Sequence, residues 1–329
     1  MLVSSAMLSS TFECLYGTFV KIVHEKLYDS LIATPVSAED AVAGDIAWAA
    51  FRGLVSGKYL GELEVDIDGS EVNLAGSRML PVDKKVHKDP SLLNTLNFLK
   101  AGIVADPRFG PVYSQHVAMA DRDMEKKWRE GDAYRDTALG NLVADALKDG
   151  VKANGFPADI VLEANGYLAY KIHKGNVVGN DIMRAVPYGY DPESGLGFKM
   201  DCVLLAGAQL LAGLEYSVSY VEYTTDLCME VSGFSFHYDS TKPPTTDPTQ
   251  LSRLDPASVL INGLPVSLEK VYWIAMSEQL HNFLVSMGIT PFDAKKTGLL
   301  EYNLVRDYMH KLNHVDYRAE GRVIDTGIK

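Results

Sequence analysis

The chain has 329 residues, enough for one large domain or two ordinary ones. Hydrophobic residues make up 47% and charged residues 22%, the balance of a folded globular protein. The formal net charge of −12 argues against nucleic acid or anionic lipid as a general partner, while leaving room for a small phosphate pocket.

The opening, MLVSSAMLSSTFECLYGTF, lacks the basic start and clean apolar core of a signal peptide, and the chain reads as a piece of something longer or a natural short form. No run of about 18 apolar residues occurs, so no membrane-spanning helix is expected. Cys14, Cys202 and Cys228 form no CxxC pair and are expected as buried apolar thiols.

Leu63, Val65 and Ile67 alternate and then meet Asp68-Gly69, the signal of a hairpin. Asp89 caps a helix with Pro90 at its first position and Leu92, Leu93, Leu96 and Leu99 on one face. The charged run Asp121 to Gly131 suits a solvated boundary. A second helix opens at Asp136 or Thr137, with Leu139, Leu142, Val143, Ala146 and Leu147 at helical spacing. Gly140 sits awkwardly in its first turns, since glycine weakens a helix. Close packing or close approach to a ligand would explain it.

Ile160 to Ala164 reads as a buried strand ending at Asn165-Gly166, followed by a short helix capped near Asn180. A strand at Cys202 to Leu205, the helix GAQLLAGLEYSV and strands around LCMEVSGFSFHYD come next. KPPTTDPTQ is a loop, Asn262-Gly263 a turn and VYWIAMS a strand. A last helix, Leu300 to Leu312, should bury Leu300, Leu304, Tyr308 and Leu312 before GRVID closes the chain as a strand. Such a mixture of βα units and hairpins indicates α/β or α+β.

These pieces carry motifs in a recognisable order: Arg135-Asp136-Thr137 to Ala146, Ala158 to Gly166, Val186-Pro187-Tyr188-Gly189, Gly207 to Glu215, Ile261 to Val266, and Gly321-Arg322-Val323. Together they resemble the C-terminal domain of the 5'-nucleotidase family, over about residues 129–325. The resemblance implies a mixed sheet with flanking helices over residues 129–329. It implies a helical linker at 81–128 and, at 1–80, a remnant of the end of a metallophosphoesterase domain. SGKYLGELEVDID resembles the segment in which the family leaves that domain.

Members of the family hydrolyse phosphate esters with two metal ions held by the preceding domain. Paired metals activate a water and stabilise the leaving oxygen. The ligand motifs Asp-x-His, Gly-Asn-His-[Glu/Asp] and Gly-His-x-His are absent, and His24 alone stands where the last belongs. No cofactor is therefore expected in this chain, and a divalent metal pair of Zn, Mn or Mg type is expected in the missing catalytic domain. The resemblance further implies nucleotide catabolism, a nucleoside- or nucleotide-like small-molecule substrate, the metallophosphoesterase domain as partner, and an extracytoplasmic location.

The substrate positions the resemblance assigns are Arg135, Asn165, Gly166, Lys171, Tyr188 and Tyr190. Several depart from the family pattern. Tyr170 takes the place of an arginine, with Lys171 beside it as a point charge or a plain strand-end lysine. Tyr188 keeps an aromatic face for stacking, or packs in the core. Tyr190 replaces an asparagine. Gln279 and Val285 stand where a second stacking phenylalanine and a ribose-binding aspartate belong, and His281 lies between them. Loss of those groups should weaken nucleoside selectivity. Two further readings stay open: a scaffold retuned to a sulfur ester (thiosulfohydrolase-like), and a non-catalytic binding protein. Arg135 itself has a structural alternative, an ion pair with Asp136 or Glu163.

Overall fold

A computed structural model describes residues 59–68, 71–83, 85–107, 110, 112, 115–126, 134–190, 195–245, 247 and 250–327, the first of these, to residue 79, as backbone alone. Cys14 and His24 lie outside the described residues. The chain divides into two compact units, Met1–Asn97 and Phe98–Lys329.

The first unit contains an antiparallel hairpin of β1 (Tyr59–Asp68) and β2 (Glu71–Pro81), in register from Tyr59↔Pro81 to Asp68↔Glu71. This is the turn that Asp68-Gly69 announces. Helix α1 (Pro90–Ala105) starts as the sequence implies: the Asp89 carboxylate accepts from the amides of Ser91 at 2.7 Å and Leu92 at 3.1 Å. Leu92, Leu93, Leu96 and Leu99 are exposed, and none of the helix's residues is buried. Ile103 and Val104 continue the leucine face and are exposed as well, while Phe98 is exposed on the opposite side of the helix.

The second unit is built on a five-stranded mixed sheet. Its strands lie in the order β12 (Asp293–Leu300), β6 (Lys199–Ala206), β11 (Val271–Ser277), β4 (Ile160–Ala164) and β7 (Met229–Ser232). Only β11 and β4 run parallel. Alternation along each strand sends side chains to two cores. Val161, Met200, Cys202 and Ala275 pack with α2 (Ala138–Ala153) and α6 (Glu301–Leu312). Ile160, Leu162, Val203, Leu205, Ile274 and Met276 pack on the other side with α4 (Gly207–Ser219) and α5 (Glu278–Ser286). A four-stranded sheet completes that second core: β10 (Leu264–Pro265), β9 (Leu254–Ile261), β8 (Phe234–Tyr238) and β14 (Val323–Asp325). A three-stranded sheet joins β13 (His314–Val315), β3 (His116–Ala120) and β5 (Gly175–Val178). The α/β class with mixed sheets and flanking helices stands as expected.

Local details follow the chemistry of the sequence. Asn262 and Gly263 take φ of 51° and 79°, the left-handed pair of a tight hairpin turn. Cys202 and Cys228 are buried free thiols. Helix α3 (Gly179–Ala185) begins one residue before Asn180; its cap is Val178, whose amide donates to the Asp181 carboxylate at 3.0 Å. Helix α6 buries Tyr302, Leu304, Val305 and Met309, whereas Tyr308 is half-buried and Leu312 is exposed.

Candidate functional site: an aromatic platform over buried carboxylates

The N-terminus of α2 lies against β7. Thr137 caps the helix, its hydroxyl accepting from the Gly140 amide at 2.9 Å. The same residue donates to the Glu230 carboxyl from its hydroxyl at 2.8 Å and its amide at 3.1 Å. A Cβ at position 140 would overlap the Glu230 carboxyl group. Gly140 is thus required by a buried carboxyl of the same chain, and close packing accounts for it.

Asp136 and Asn141 bind the end of the chain. The Asp136 carboxylate accepts from the amides of Glu320 at 2.7 Å and Gly321 at 3.1 Å and from the Asn141 side chain at 2.7 Å. Asn141 also donates to the Arg318 carbonyl at 2.9 Å. The first and last motifs of the sequence are therefore one structural unit.

Glu163 faces Glu230 across the β4–β7 ladder. It is wholly buried, and neither of its oxygens has a hydrogen-bond partner. That excludes it as the ion-pair partner of Arg135, which is exposed. Burial first, then the neighbouring charge of Glu301, pushes Glu163 well above the carboxylate range. Burial likewise pushes Glu301 upward; its amide donates to the Phe198 carbonyl at 2.9 Å. Glu230 is pushed up to about 8 by burial, which outweighs the Thr137 hydrogen bonds.

Phe198, whose carbonyl accepts from the Glu301 amide at 2.9 Å, belongs to an aromatic cluster. Strand β4 ends in a single 3-10 turn, Asn165–Tyr167, which presents Tyr167. Its ring meets Phe198 edge-on, with centroids 5.1 Å apart and planes at 62°. Phe198 in turn faces Tyr188 at 6.4 Å, the two planes within 13° of parallel. Two glycines permit this approach: Gly189 at φ +80° and Gly197 at φ +88° sit where a side chain would strike the backbone of Phe198 and of Tyr302 respectively. Tyr188 keeps 46% of its surface exposed, leaving an aromatic face open to a flat ring.

The other sequence-derived positions divide. Asn165 is buried, its side-chain amide donating to the Thr225 carbonyl at 3.2 Å and hydroxyl at 3.3 Å, and Gly166 abuts Asp226. Tyr190 follows Tyr188 on the surface. The Lys171 ammonium is held by Glu125 at 2.6 Å and Asp123 at 2.9 Å, and these contacts raise its pKa. Tyr170 carries the Arg184 guanidinium 4.0 Å above its ring. Gln279 and Val285 are exposed on α5, and the His281 ring bonds Asp201 at 2.8 Å.

Phe198, Arg184 and the Glu163–Glu301 pair were not anticipated from the sequence. The signals for two of them were present: a carboxylate inside the apolar strand IVLEA, and a phenylalanine just after two glycines in SGLGF. Among the described residues no group of three or more His, Cys, Asp or Glu is arranged to hold a metal ion, so the described donor set does not fit a metal pair. No described helix is long and apolar enough to cross a membrane.

A mixed sheet between two helical layers is a fold shared with solved structures. The fold matches the 5'-nucleotidase precursor of Thermus thermophilus with a TM-score of 0.67 at 23% identity, over 82% of this chain and 50% of that one. It matches the Thermus thermophilus sulfate thiohydrolase SoxB with a TM-score of 0.59 at 18% identity, over 83% and 46%. In sequence, an apyrase of Aedes aegypti is 26% identical over 275 residues, 82% of this chain and 45% of the apyrase. Residues 117–286, over half of the chain, match the family described as 5'-nucleotidase, C-terminal domain. The chain belongs to that family. It spans about half the length of the relatives it matches.

Proposed function

We propose that the chain is the substrate-recognition part of a 5'-nucleotidase-like phosphoesterase acting in nucleotide breakdown outside the cytoplasm. The observation that carries the reading is the Tyr188–Phe198–Tyr167 platform, whose parallel rings and open Tyr188 face suit a nucleobase. Phe198 supplies a second ring although Gln279 stands at the family's phenylalanine position. Tyr188 and Tyr190 line the ring site, Asn165 and Gly166 hold the turn under it, and Arg135 and Lys171 serve the anionic end of the substrate. Lys171 reaches that role only by leaving Asp123 and Glu125.

Hydrolysis depends on a metallophosphoesterase domain supplying a divalent metal pair, and this chain by itself is inactive. A chimaera tests the reading: this chain replaces the matching half of the Thermus thermophilus 5'-nucleotidase, with folding checked by circular dichroism. Metal-dependent release of phosphate from AMP is expected. A folded chimaera that hydrolyses no phosphate ester contradicts the reading. The second reading, a sulfur-ester substrate, draws on the likeness to the thiohydrolase fold and on Gln279 and Val285; turnover of a thiosulfate ester in preference to AMP by the same chimaera would favour it.

A further inference from the structure

The turn after β4 and the end of α3 are joined by one backbone bond, the Ala169 amide donating to the Ala185 carbonyl at 2.8 Å. On one side of it, Tyr167 and Tyr188 bring their rings together on Phe198. On the other side, the Arg184 guanidinium sits over Tyr170, 4.0 Å from the centroid of the ring. Arg184 and Tyr188 are four residues apart in the sequence, a span of at most about 14 Å even in a fully extended chain.

Arg184 is exposed, and among the described residues it forms no ion pair and donates to no oxygen. Neighbouring cations are engaged: Lys171 is held by Asp123 and Glu125, and the Lys126 ammonium donates to the Leu168 carbonyl. An aromatic face attracts a cation without supplying a hydrogen-bond acceptor. Tyr170 therefore fixes where the guanidinium sits and leaves its fork of N–H donors for an oxyanion, which such a fork grips through two oxygens at once. A side chain already restrained loses less freedom when it binds. Arg184 also stands in the last turn of α3, where a cation suits the helix end. That preference accounts for a basic residue and not for the ring beneath it.

We propose that Arg184, seated on Tyr170, binds the anionic group of a ligand whose ring stacks on Tyr188. The ligand class is a phosphorylated ring compound, a nucleoside monophosphate in preference to the nucleoside. This role rests on the nucleobase reading of Tyr188 and adds to it the residue that reads the charge. Tyr170 is a positioning residue, since it acts through the guanidinium.

Calorimetric titration of the full chain with AMP, adenosine and inorganic phosphate tests the role. AMP is expected to bind about tenfold or more tightly than adenosine, the worth of a hydrogen bond to a charged group. Arg184→Ala should abolish that advantage and weaken phosphate binding, with adenosine affinity unchanged. Arg184→Lys keeps the charge without the fork and should restore the advantage only in part. Tyr170→Phe keeps the ring face and should bind AMP as the native chain does, whereas Tyr170→Ala should lose part of the advantage. Both side chains lie at the surface or half-buried, so the fold should survive each change, and circular dichroism checks it. AMP bound no more tightly than adenosine overturns the proposal, as does an AMP advantage or a phosphate affinity that Arg184→Ala leaves intact. Phosphate binding that disappears in Arg184→Ala, with adenosine never bound, keeps the anion site and removes the nucleobase reading. Binding of none of the three removes both.

Discussion

At Gly140 the conformational preference of a residue and the demands of its neighbours point in opposite directions. Alanine is favoured over glycine inside a helix by about 1 kcal/mol. Here an added methyl would meet the buried Glu230 carboxyl, and overfilling a packed interior costs about 1–3 kcal/mol, at times more. Gly140→Ala should therefore destabilise the protein by about 1–3 kcal/mol in denaturant unfolding. Combining it with Glu230→Ala should recover part of the loss, and a stabilised single mutant would contradict the contact. The sequence displayed the anomaly of a glycine in the first turns of a helix without its cause, because Glu230 lies far along the chain and meets Gly140 only once β7 is paired to β4. Glu163 hid for a related reason. A glutamate in an apolar strand is visible as a letter, but whether it finds a partner is decided by tertiary neighbours.

Among the elements, those with local signals were legible. The Asp89 and Thr137 caps, the Asn262-Gly263 turn and the buried stripe of α2 each depend on residues a few positions apart, and each is where the sequence implies. Helix α1 shows the limit, since a leucine pattern states that a face is apolar and says nothing about what covers it. The pairing of the first and last motifs through Asp136 is the element-scale feature with the clearest consequence. Asp136→Ala leaves the backbone amides of Glu320, Gly321 and Val323 and the Asn141 side chain without this acceptor, and hydrogen bonds to a charged group are worth about 1.5–3 kcal/mol each. We expect a loss of about 3 kcal/mol, with hydrogen exchange accelerated first across Arg318 to Asp325. Uniform acceleration over the whole chain, with no preference for that segment, would refute the view that Asp136 fastens it.

For the whole molecule the buried carboxyls set a pH dependence. Glu230 has a folded value of about 8 against an ordinary glutamate value of 4.5, and Glu301 and Glu163 are raised with it. The folded state therefore holds more protons than the unfolded chain across that window, and stability falls as pH rises through it. Asp145 acts in the opposite sense. Burial pushes it up, but hydrogen bonds from Arg322 and Ser232 and the charge of Arg322 outweigh burial, and its value ends below 3.8. Its contribution is lost only in stronger acid. The melting temperature should accordingly peak near about pH 5 and decline toward about pH 8, the span between the ordinary and raised glutamate values. Glu163→Gln should flatten the decline, gaining stability at the upper end and little at the lower. A melting temperature that rises from the lower to the upper end of that span would contradict the buried cluster.

The central claim is that Tyr188 and Phe198 form a platform for a nucleobase, and calorimetric titration of the full chain with adenosine tests it most directly. Inorganic phosphate is run beside it, and both are repeated with Tyr188→Ala and Phe198→Ala. Stacking on an aromatic side chain contributes about 1–3 kcal/mol per base in proteins that bind single-stranded nucleic acid, so each substitution should weaken adenosine binding by roughly fivefold or more. Phosphate binding should stay unchanged in both. Adenosine binding that is indifferent to both substitutions would contradict the account, as would the absence of any adenosine binding.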